Sequence, residues 1–226
     1  MAAYTNFTSD LASPAKEVPL VDMQIMYVGE LARITSELGG NLVRIFTGYE
    51  VPGVPFYQQW EQCVKAVREC CDIAAQYGIT IGIQNHHDIA VHTDSLIEFL
   101  SDVDRPNVKI MFDAWSPAIR KENIEIMLEK VIDKMVYTTV ADYINLPRFH
   151  YKPDLINYES CKQDLIRAVP LGQGIIDYDS FFTKLKKLGY NGWVAYEICS
   201  PLRKGGSLEN LDYCAKKFVE YMKKYI

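Results

Sequence analysis

The chain has 226 residues, 49% of them hydrophobic and 23% charged, with a formal net charge of −5. Such a composition belongs to a globular chain long enough to bury a core without disulfide or metal staples. The acidic balance argues against a general nucleic-acid binder, no apolar run reaches the length of a membrane span, and the opening MAAYTNFTSD lacks the basic start and apolar stretch of a secretory signal.

Residues 2–7 (AAYTNF) are a candidate first strand. A helical stripe follows on Leu20, Met23, Tyr27, Leu31, Ile34 and Leu38, stopped by Gly39-Gly40. Residues 41–46, 80–85, 108–113, 135–141 and 193–198 are short, β-rich and nearly continuous in apolar residues, as strands covered on both faces should be. Between them, helices are predicted around Trp60 to Ala74, around Leu96 and Leu100 with a cap at Thr93 or Asp94, around Ile124 to Val131, and around Phe181 to Leu188. A last helix carries Leu208 to Met222, with Ser207 as its N-cap. Residues 143–174 are irregular and rich in Tyr, Pro and Asn, and 158–169 are predicted to hold a short helix. A long loop of this kind is more often functional than idle.

Strands separated by helices require crossovers, so the sheet should be parallel. Residues 1–226 are expected to form one domain, either a doubly wound sheet or a (β/α) barrel. No GxGxxG loop supports a dinucleotide fold. The six cysteines form no CxxC pair and fall in apolar patterns. They suit reduced thiols in a cytoplasmic protein, although disulfides stay open, and a cysteine zinc site has little support.

Both folds place chemistry at the C-terminal strand ends. There the sequence delivers Arg44; then Gln84, Asn85, His86 and His87; then Asp113 with Trp115; then Thr138, Thr139 and Asp142; and last Glu197. Two carboxylates, an amide and a histidine suit a divalent metal or acid-base chemistry. Alternation sends Gln84 and His86 to one side and Asn85 and His87 to the other. The plainer readings are a turn-organising Asp113 before Pro117, a loop role for Asp142, and a core thiol at Cys199. Glu197 sits among apolar neighbours, where an unpaired carboxylate is expensive, so it needs a function or an ion-pair partner such as Arg44. His92 and His150 read as surface groups. Arg203 and Lys204, before Ser207, are either an anion-holding helix start or plain capping.

The order of IQNHHD, MFDAWSP, VYTTVADY, GQGIIDY and GYNGWVAYEICSPLR resembles the sugar phosphate isomerase/epimerase family, with its xylose-isomerase-like TIM barrel. Relatives include ketose 3-epimerases and inosose dehydratases. The likeness covers nearly the whole chain, and its closing stretch is the most specific part. It implies a barrel entered at the third strand, lacking the first two β/α units. It also implies a divalent metal, Mn²⁺ first, held by Glu, Asp, His and Glu. On this chain the Asp matches Asp113 and the last Glu matches Glu197. The first Glu falls on Gln84, the His falls near Thr139, and Ser116 stands where relatives place a further His. His86 or Asp142 are candidates to compensate.

The resemblance therefore implies metal-assisted proton transfer next to the carbonyl of a sugar or polyol-derived substrate. Glu197 and His86 would be the catalytic pair, and Asp113, Glu197, Gln84 and His86 the metal ligands. Arg44, His87, Trp115, Asp142, Arg148 and Arg203 would contact substrate. Two-glutamate epimerisation is disfavoured, because Gln84 cannot take up a proton. The alternative is a degenerate barrel that binds a sugar-like ligand or serves as a subunit of a larger assembly. No nucleic-acid or membrane partner is expected, and an open sheet edge favours a homo-oligomer.

Overall fold

A computed structural model describes residues 1–12, 20–199 and 201–225. Five strands form one parallel sheet: β1 (Leu42–Ile45), β2 (Thr80–Gln84), β3 (Val108–Asp113), β4 (Met135–Val140) and β9 (Trp193–Tyr196). Their spatial order is β1-β2-β3-β4-β9, the order of the chain. A doubly wound sheet would reverse its order at a switch point. Sequential order with helical crossovers is the barrel arrangement, here as an open, curled part-barrel.

The helices are α1 (Ser9–Ala12), α2 (Leu20–Glu37), α3 (Phe56–Ala75), α4 (Thr93–Val103), α5 (Trp115–Ile119), α6 (Ile124–Val131), α7 (Tyr178–Lys187) and α8 (Leu208–Met222). Their starts follow local capping chemistry. Asn123, Asp177 and Ser207 each accept a backbone N–H of the first turn. At α4 the cap is His92, whose ring accepts the N–H of Asp94, one position before the predicted cap. None of the described helices is long and apolar enough to cross a membrane.

The core lies between the sheet's outer face and the helices. Ile81, Ile83, Ile110 and Phe112 alternate outward along β2 and β3 and are fully buried. Phe112 stacks on Phe181 of α7, with ring centroids 6.3 Å apart. The inner face is partly filled by Met111 and Leu42. Gly82 makes room for them: a Cβ there would lie 2.7 Å from Met111 Cγ and 3.1 Å from Leu42 Cδ1.

Two expectations need correction. Residues 2–7 do not form a full strand. They make one parallel bridge, Ala2 to Arg44, with the N–H of Ala3 donating to the Arg44 carbonyl at 2.9 Å. Residues 158–169 hold no helix. β5 (Asp142–Leu146) pairs antiparallel with β8 (Leu165–Val169), and β6 (Phe149–Lys152) with β7 (Asn157–Ser160). The physical reason is cross-strand pairing: Tyr151 meets Tyr158 at 5.2 Å, the kind of aromatic pair that favours a β ladder.

Candidate active site

The parallel register brings the last residues of the strands level: Ile45 pairs with Ile83, Gln84 with Met111, and Asp113 with Thr139. Glu197 follows β9, its N–H donating to the Val140 carbonyl at 2.9 Å. Arg44, Thr139 and Glu197 line one end of a cavity of about 490 Å³ inside the curled sheet; Met1, Leu42, Met111, Tyr137 and Trp193 are among the residues that line the rest.

One hydrogen-bond chain crosses this site. Arg44 Nη1 donates to Gln84 Oε1 at 2.7 Å. Gln84 Nε2 donates to Asp113 Oδ2 and to Thr139 Oγ1, both at 3.2 Å. Arg44 Nη1 also lies 3.8 Å from Glu197 Oε1. The Arg44 guanidinium sits over the rings of Phe46, at 4.4 Å, and Tyr4, at 5.1 Å. Those faces favour a cation removed from water.

Asp113 is buried. Burial is the largest influence on its carboxyl and pushes it up to about 7, against the N–H donors of Trp115 and Gln84. Its backbone is clamped by Asn85, whose Nδ2 donates to the Asp113 carbonyl at 2.9 Å and whose Oδ1 accepts the Asp113 N–H at 2.6 Å. Asn85 therefore points to the outer face of the sheet while Gln84 points to the inner face, buried among Arg44, Asp113 and Thr139, as alternation requires.

His86 lies beside the site, its ring 5.4 Å from those of Phe46 and Trp115. Burial lowers its pKa, opposed by the Glu197 charge. Its Nδ1 accepts the N–H of His87 at 2.8 Å. That bond puts the proton of the neutral ring on Nε2, which is left as the ring's donor. His87 is packed between Phe46 and Tyr49, at 4.2 and 4.1 Å, with φ of 65°. Burial pushes its pKa down to about 4. The geometry makes it a neutral packing group, not the substrate contact expected.

The other candidates separate. Trp115 packs between His86 and Tyr143, and its buried Nε1 has no partner among the described residues. Asp142 braces a loop: Oδ1 accepts the N–H groups of Tyr143 at 3.0 Å and Ile176 at 3.4 Å, and Oδ2 those of Gly172 at 2.9 Å and Gly174 at 2.8 Å. With its lone pairs so occupied, it is not free for the substrate contact or the ligand role expected of it. Arg148 and Arg203 are exposed and do not line the cavity. Arg148 stands on the β5–β6 excursion, and Arg203 is held beside β8 by its N–H to the Ala168 carbonyl at 2.9 Å. Ser207 caps α8, and Ser200 lies outside the described residues. Burial raises the Cys199 thiol, which suits a near-core group.

Sequence reasoning missed Phe46, Tyr4 and Tyr143. Aromatic residues flanking the strand ends were the available signal.

The donors do not make a metal centre as they stand. No group of three or more His, Cys, Asp or Glu converges among the described residues. The Gln84 carbonyl oxygen already accepts from Arg44. The tautomer fixed at His86 closes its outer nitrogen to a metal.

An open (β/α) barrel with its polar groups at the C-terminal strand ends defines the class of this molecule. The description xylose isomerase-like TIM barrel matches residues 5–217, and the chain belongs to that family. It is 26% identical over 144 residues to an inosose dehydratase of Erwinia tasmaniensis, across 62% of this chain and 48% of that protein. The chain thus spans about half the length of the curated relatives it matches. Among solved structures, a D-allulose 3-epimerase from Methylomonas sp. superposes with a TM-score of 0.72 at 20% identity, over 100% of this chain and 75% of that one. The IOLI protein, solved with a zinc atom, superposes with a TM-score of 0.68 at 23% identity, over 89% and 70%. Those two likenesses are of fold.

Proposed function

We propose that this chain belongs to an enzyme acting on a sugar- or polyol-derived carbonyl compound, and that it moves a proton on the carbon next to the carbonyl. The observation that carries this reading is the accessible Glu197 carboxylate at the polar end of a largely apolar cavity inside the curled sheet, 3.8 Å from a cation. Glu197 takes the proton; its side chain is 30% exposed and opens to that cavity, where a substrate carbon can reach it. Thr139, which lines the cavity, holds a substrate hydroxyl, and the Gln84 amide keeps Arg44, Asp113 and Thr139 in place. Neutral His86 offers its Nε2–H to the oxygen that leaves or gains charge. Trp115, partly exposed and packed on His86 and Tyr143, offers an aromatic face suited to a sugar ring. Gln84 cannot serve as a second base, so the chemistry favoured is isomerisation or loss of a hydroxyl over two-base inversion. The inosose dehydratase relatives support the same class. The six free thiols suit a reducing compartment, the cytoplasm.

A divalent ion, Mn²⁺ first, is the second reading of the same pocket. Its support is the zinc in the IOLI structure and the buried Asp113, which makes no ion pair among the described residues. Asp113 and Glu197 would supply charged oxygens and Gln84 a neutral one, and His86 would have to change tautomer. Such an ion would polarise the carbonyl when bound.

Solvent deuterium incorporation, followed by NMR on a panel of inososes and ketoses, tests the reading. Incorporation that disappears in Glu197→Gln supports it. Saturable binding of an inosose by calorimetry, without any incorporation, replaces it with the non-catalytic binding barrel.

A further inference from the structure

Arg44 is the one cationic side chain among the described residues that line this pocket, and its chemistry is only partly used. Nη1 serves Gln84 and approaches Glu197. Nε and Nη2 make no hydrogen bond among the described residues, although the side chain is only 8% exposed. The group nonetheless lines the cavity. A largely buried guanidinium with unused N–H donors, flanked by the Phe46 and Tyr4 rings, thus borders the space a ligand would take. Its charge is balanced by Glu197, so the pocket needs no further cation to offset that carboxylate. A divalent ion between Gln84 and Glu197 would have to displace Arg44 or stand beside a like charge in a poorly solvated place.

We propose that the Arg44 guanidinium is the resident cation of this site and the group that holds a negatively charged ligand oxygen there, in place of a divalent metal. Its planar fork suits two neighbouring oxygens of one ligand, the pattern of an enediolate or of a flat dianion such as oxalate. Tyr4 and Phe46 keep the fork oriented, and Gln84 fixes one of its corners. The inference deepens the proton-transfer reading and rests on it for the ligand class, but its test does not require turnover.

The test is the binding of oxalate to the chain in the presence of EDTA, measured by calorimetry on wild type, Arg44→Lys and Arg44→Met. The expected result is saturable binding that survives EDTA and weakens roughly tenfold or more in Arg44→Met. Arg44→Lys keeps the charge and loses the fork, and should fall between the two. Circular dichroism checks that each variant folds; if Arg44→Met does not, Arg44→Lys alone decides, by weakening or by leaving the affinity unchanged. A parallel Mn²⁺ titration of wild type should show no saturable site. Oxalate binding that is absent in EDTA, or unchanged in the folded Arg44 variants, overturns the proposal, as does a saturable Mn²⁺ site lost in Asp113→Asn. If oxalate behaves as expected and no substrate shows deuterium incorporation, the proton-transfer reading fails and this one stands.

Discussion

Arg44 Nη1 lies 3.8 Å from Glu197 Oε1, although Arg44 belongs to the first strand of the sheet and Glu197 follows the last. The pair therefore spans the open side of the curled sheet, and the curl is what lets the edge strands meet at their C-terminal ends. Arg44 is buried but the Glu197 carboxylate is open to water, its side chain 30% exposed, so a contact at this distance contributes little stability, about 1 kcal/mol or less. Glu197→Gln should accordingly leave the unfolding midpoint in urea nearly unchanged. A large drop would mean that Glu197 is mainly structural.

The loop after β8 depends on Asp142, which gathers four backbone N–H groups. Asp142→Ala leaves those donors unmet and should destabilise the chain by about 2–4 kcal/mol. Gly174→Ala should also be costly, since its Cβ would lie 2.0 Å from Asp142 Oδ1 and 2.4 Å from the Tyr143 carbonyl. Chemical denaturation of the two variants checks both. Wild-type stability in Gly174→Ala would contradict the packing described for this loop.

These cases mark what the sequence could and could not reveal. The five parallel strands were legible because each is an apolar run covered on both faces, and the long helices because their stripes end at capping residues or glycine. β6 and β7 were not legible: their side chains are mostly exposed, so no burial pattern marks them. Gln84, Asp113 and Glu197 could be picked out as polar residues ending apolar strands. Arg44 could be named as the counter-charge of Glu197, which it approaches to 3.8 Å; the other partners could not, because Arg44 meets Gln84 across 40 positions and Asp142 meets Gly174 across 32. The tautomer of His86 follows from one backbone bond, which no sequence pattern announces.

Asp113 gives the pH dependence. Its folded pKa is raised from 3.8 to about 7. Between those values the folded chain holds a proton that the unfolded chain has released, so its contribution to stability falls as pH rises and levels off above about 7. His87, lowered to about 4, acts in the opposite sense below its unfolded value of about 6.5. The comparison with Asp113→Asn isolates the first effect. The stability of that variant minus wild type should rise from pH 4 to 7, by at most about 1.4 kcal/mol per pH unit, then stay flat. A difference that does not vary with pH would refute the raised value.

The outer edge of β9 is the exposed flank of the sheet, and Trp193 at its start is 74% exposed. An unpaired edge with a large apolar residue favours association. Sedimentation at micromolar concentration should show a homo-oligomer, and Trp193→Lys should shift it toward monomer. A stable wild-type monomer would count against self-association through this edge.

The most direct measurement is the exchange of carbon-bound hydrogen for solvent deuterium in inososes and ketoses, read by NMR with wild type and Glu197→Gln side by side. The proposed chemistry expects incorporation next to the carbonyl with wild type, and a rate lower by about 10²–10⁴ in the folded variant. Equal incorporation by the two proteins would remove Glu197 as the base. No incorporation by wild type across the panel would contradict proton transfer as the work of this site.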